Sequence, residues 1–117
     1  MSTTYRIDIQ IETTDRRLDR EMLNTDYLSA REPLTIVDGV TGMWSAPLQK
    51  YAGEPYVFDL AIEAVSTVGL NLLSSWLYDK LKNRKRQNVK LRINRTVVEI
   101  ELNKIRVEIE QIEKDGP

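Results

Sequence analysis

From Tyr5 onward the chain alternates: Tyr5, Ile7, Ile9 and Ile11 fall on one side, Arg6, Asp8, Gln10 and Glu12 on the other. A period of two with β-branched residues on the apolar side predicts a half-buried strand. Thr13-Thr14-Asp15 then offers helix-capping side chains, and Leu18, Met22 and Leu23 have helical spacing, so a short helix is expected near residues 16–24. Pro33 ends that element, because its ring disfavours helix at Glu32. Leu34–Val37 reads as a short strand stopped by the turn signal Asp38-Gly39. Beyond it, Gly42, Pro47, Gly53 and Pro55 are interspersed with Met43, Trp44, Leu48 and Tyr51, which predicts a long loop. Trp44 in that loop either plugs the edge of the core or meets a partner.

The longest apolar-periodic run is Val57–Leu81, VFDLAIEAVSTVGLNLLSSWLYDKL. Wound at ~100° per residue, it places Phe58, Ala61, Ile62, Val65, Val68, Leu72, Leu73 and Trp76 on one broad stripe. Asp59, Glu63, Ser66, Thr67, Asn71 and Ser74 fall on the opposite arc. The spacing therefore predicts one long central amphipathic helix with its stripe against the core. Gly69 lies on the stripe, where it admits close approach of another element at some cost in helix propensity. Leu70, Leu77 and Leu81 form a separate thin line on the polar arc. Such a line calls for a second contact, either a covering loop or a partner.

After the helix, Val89, Leu91 and Ile93 alternate with Lys90, Arg92 and Asn94, a second strand. Asn94-Arg95 suits a two-residue hairpin turn, since Asn tolerates positive φ. Thr96, Val98, Ile100 and Leu102 continue as a third strand, whose acids at 99 and 101 are expected to face the basic side of 90–92. The last segment carries two patterns. Ile105, Val107 and Ile109 alternate as a strand, whereas Leu102, Ile105, Ile109 and Ile112 lie on one helical face. Its richness in β-branched residues favours the strand. The resulting fold class is α+β, a long central helix on a small antiparallel sheet, as a single domain over 1–117 with an irregular Pro/Gly-containing segment at about 33–56.

Composition narrows the function. A chain of 117 residues, 41% hydrophobic and 30% charged, has the material for one ordinary core. It contains neither Cys nor His, which excludes disulfides, thiolate and imidazole bases, and Cys-rich zinc sites. The N-terminus has no basic-then-apolar leader pattern, and the uncharged run Ala64–Tyr78 is shorter than the ~20 residues a membrane helix needs. A cytoplasmic, non-membrane protein is expected. The net charge of −1 hides a segregation: residues 80–95 carry eight basic side chains and no acid, leaving nine basic against eighteen acidic elsewhere.

Candidate chemistry is sparse. The five glycines make no phosphate-binding loop. The carboxylate pairs Glu99/Glu101 and Glu108/Glu110 occupy the ordinary solvent side of a strand rather than an acid–base arrangement. No cofactor, metal site or catalytic residue is assigned, and a non-enzyme is expected. Two surfaces remain. One is a partner-binding set of Leu70, Leu77, Leu81 and Trp44. The other is a polyanion- or acid-binding set of Lys82, Arg84, Lys85, Arg86 and Lys90, for which the plainer reading is compensation of the negative helix C-terminus.

The C-terminal half, VSTVGLNLLSSWLYDKLKNRKR followed by VKLRINRTVVEIE, resembles the effector-associated constant component family of small bacterial conflict-system proteins. The likeness covers residues 5–101 and rests on Trp76-Leu77, the basic run, and Arg95-Thr96-Val97-Val98-Glu99. The chain departs from the family in its Pro/Gly-containing segment at 33–56 and in a hairpin turn without Gly. The resemblance implies a non-catalytic accessory coupled to an effector. The preferred expectation is thus a protein-interaction module that binds a protein partner or itself, an accessory in prokaryotic antiviral defence. The alternatives are a phage-type inhibitor docking a nucleic-acid-binding machine and a nucleic-acid binder through residues 80–95.

Overall fold

The computed structural model describes residues 4–14, 34–44, 56–82 and 89–116. The alternating strand at the start is β1, Tyr5–Thr13, with Tyr5, Ile7, Ile9, Ile11 and Thr13 buried. Four further strands and two helices follow the hairpin strand β2 (Leu34–Val37): β3 (Val40–Trp44), β4 (Tyr56–Ala64), α1 (Thr67–Leu81), β5 (Lys90–Ile93), β6 (Thr96–Val98) and α2 (Leu102–Asp115). The six strands form one sheet in the order β2-β3-β4-β1-β5-β6, and every pairing is antiparallel. This is an α+β fold with both helices on one face. The expected helix near 16–24 lies outside the described residues.

One long central helix is not what forms. Val57–Ala64 belongs to β4, and the helix begins only at Thr67. The physical reason is that the stretch satisfies two periods. Tyr56, Phe58, Leu60, Ile62 and Ala64 alternate toward the core, yet Val57 and Ala61 on the other side blur the alternation enough for a helical stripe to fit as well. Nine residues of β4 pair with β1, from Tyr5↔Ala64 to Thr13↔Tyr56, and a ladder of that length decides the contest. Ser66 marks the change: its hydroxyl accepts from the Gly69 amide at 3.2 Å, an N-cap that starts the helix there.

The segment at 33–56 is not irregular throughout. Leu34–Val37 and Val40–Trp44 pair as a hairpin over Asp38-Gly39, and β3 continues onto β4 with Val40↔Ala64 and Trp44↔Leu60. Gly39 takes φ +76°, the left-handed conformation that suits Gly at a turn. Its carbonyl accepts from the Val65 amide at 2.8 Å, clamping the β4–α1 junction. Gly69 presses on the same turn. A Cβ there would stand 3.3 Å from both the Gly39 carbonyl oxygen and a Val40 methyl, so the close approach anticipated for this glycine is made to the β2–β3 turn.

The second hairpin follows its sequence signal. Asn94 (φ 47°) and Arg95 (φ 73°) form the turn between β5 and β6. Asn94 also adds a rung to β1: its amide donates to the Asp8 carbonyl at 2.8 Å, and its side-chain oxygen accepts from the Asp8 amide at 2.9 Å. The third strand is shorter than expected, ending at Val98. The segment after it is helix α2, not strand, with Ile105 and Ile109 fully buried and Ile112 packed against the core. Here the helical face Leu102/Ile105/Ile109/Ile112 outweighs β-branched propensity. α2 packs along α1, so burial of one stripe stabilises more than the small propensity cost of Ile and Val in a helix.

The core lies between the sheet and the helices. Ile9, Ile11, Leu60, Ile62, Leu91 and Ile93 from the strands meet Leu70, Leu73, Leu77 and Leu81 from α1, all under 2% exposed. Both sheet edges are blunted: β6 has three residues, and β2 carries a register shift between Thr35 and Val37.

Candidate interaction surface

Helix α1 turns its leucine line inward. Leu70 is 1% exposed and Leu77 and Leu81 are 0%, so these three are core residues and are not available to a partner on the folded surface. Sheet and α2 cover them. The assignment of faces from sequence is shifted, not reversed, because β4 residues were wound into the helical count. Leu73 stays inside and Ser66, Thr67 and Asn71 outside as expected, while Leu70, Leu77 and Leu81 move in and Val68 and Leu72 move out. Once the helix starts at Thr67, Leu70, Leu73, Leu77 and Leu81 stand at i, i+3, i+7 and i+11 and define the buried stripe. Trp44 closes β3 opposite Leu60.

What faces outward is the other half of the expected stripe. Val68 is 65% exposed, Val65 46% and Leu72 38%. Around them Ser66, Thr67, Asn71 and Ser75 are exposed, and Trp76 is half-buried. No charged residue occurs between Val65 and Tyr78. The next acid, Asp79, is neutralised by Lys82 at 3.1 Å. A solvent-facing helix surface normally carries Glu and Lys, which are good helix formers and well hydrated. This one carries Val, Leu, Ser, Thr and Asn instead. The residues that sequence reasoning missed are thus Val68 and Leu72. The Ser66 cap was the signal that would have found them.

The basic set is dispersed. Lys82 is engaged by Asp79, Lys90 is exposed on β5 opposite Glu12, and Arg84, Lys85 and Arg86 lie outside the described residues. Arg92, in the same run, meets β1 rather than residues 99–101: its guanidinium donates to Glu12 at 3.1 Å and to Gln10 at 3.0 Å. The reason is topological. β5 sits between β1 and β6, so Gln10 stands across from Arg92 on one side and Val97 on the other, while Glu101 has left the sheet as the residue preceding α2. Charge compensation within the hairpin is therefore replaced by compensation from β1.

The face of the sheet away from the helices is a polar ladder. Gln10 donates to Asp59 at 3.1 Å while accepting from Arg92, and Arg6 meets Glu63 at 3.5 Å. Partial burial, and then the nearby Asp59 carboxylate, push the Asp8 carboxyl above the usual aspartate range, with Arg95 opposing. Arg92 and Arg6 are thus matched to acids on neighbouring strands, whereas Asp8 stands near a second carboxylate, Asp59. Among the described residues there is no cluster of three potential metal-ligating side chains, and no helix is long and apolar enough to cross a membrane. The described residues also line two shallow depressions. One of about 360 Å³ runs along the β5–β6 edge beside Val89, Val97 and Ile100. The other, of about 290 Å³, lies between Tyr5 and Ile112.

No family model and no curated protein matches the chain. A solved structure titled "De novo designed protein Foldit4" is similar to it at 16% identity and a TM-score of 0.49, over 77% of this chain and 94% of that one.

Proposed function

We propose that the protein is a small non-enzymatic interaction module, an accessory component of a prokaryotic conflict system, and that it engages protein through the outer face of α1. The observation that supports this is the uncharged, exposed surface made by Val68 and Leu72, with Val65 just before the N-cap, on a helix whose inner face already supplies the core. Burying Val and Leu side chains from that degree of exposure contributes about 1 kcal/mol each on contact. The resemblance of residues 5–101 to the effector-associated constant components supplies the accessory role.

The test compares two baits in the native host: the unaltered chain and one with Leu72→Glu. Loss of a stoichiometric protein from the Leu72→Glu bait, at unchanged thermal midpoint, is the expected result. Identical capture by both baits would show that the α1 face is not the contact.

A further inference from the structure

We draw no further inference here: the strongest candidate, the uncharged outer face of α1 around Val68 and Leu72, is an unpartnered apolar surface, and nothing in the structure shows what covers it.

Discussion

Helices α1 and α2 have nearly the same length, 15 and 14 residues, and contribute their buried faces to the same core, yet their outer faces follow different rules. α2 presents Asn103, Lys104, Arg106, Glu110, Gln111 and Lys114 to solvent, with Val107 alone as a large exposed apolar residue. α1 presents Ser66, Thr67, Val68, Asn71, Leu72 and Ser75. The inner faces are alike because the sheet demands the same thing of both. Only the outer faces are free to differ, so the absence of charge on α1 is not something the core requires.

The inner faces set the largest effect. Leu77→Ala and Ile105→Ala, both at 0% exposure, should each cost about 3 kcal/mol in denaturant unfolding. A loss under 1 kcal/mol at either would break the claim that the helices share one core. Helix starts come next. Ser66→Ala removes the hydroxyl that caps α1 and should cost about 1 kcal/mol. Glu101 makes no side-chain capping bond to α2, so Glu101→Ala should change stability by less than about 0.5 kcal/mol.

Outer positions should be thermally silent but unequal in association. Val107→Lys and Val68→Lys are each expected within about 0.5 kcal/mol of the parent in dilute unfolding, while only Val68→Lys should weaken capture of a partner protein by the chain as bait. The smallest effect belongs to the charged sheet face. Because the folded state raises the Asp8 pKa, its contribution to stability is full below the unfolded pKa and is lost as pH rises through the folded one. Asp8→Asn should therefore raise the neutral-pH melting temperature slightly, and the gain should vanish on acidification below the ordinary aspartate range.

Much of the sheet was legible because its turns and periods agree. β1, the Asp38-Gly39 turn, the Asn94-Arg95 turn and β5 each carry alternation bounded by residues that tolerate the required backbone. β4 was not, because Val57 and Ala61 dilute its alternation and β1, its partner, lies about 50 positions upstream, beyond the reach of any local window. α2 was not, because Ile105, Val107 and Ile109 alternate as well as they wind. The leucine line was misplaced with β4: counting strand residues into the helix turns the mean direction of its stripe, so Leu70, Leu77 and Leu81 fell on the wrong arc. The helix stripe was divided, with Leu73 kept in the core and Val65, Val68 and Leu72 sent to the surface.

The central place of β1 in the sheet has a consequence for how the chain is made. Its two neighbours are β4 and β5, and Gln10 and Arg92 are separated by 82 positions. On a ribosome adding about 5–20 residues per second, Tyr5, Ile7, Ile9 and Ile11 emerge seconds before β5 exists to pair with them. β1 is thus made well before the strand that completes its pairing. Its alternating Arg6, Asp8 and Glu12 keep it hydrated until β5 arrives.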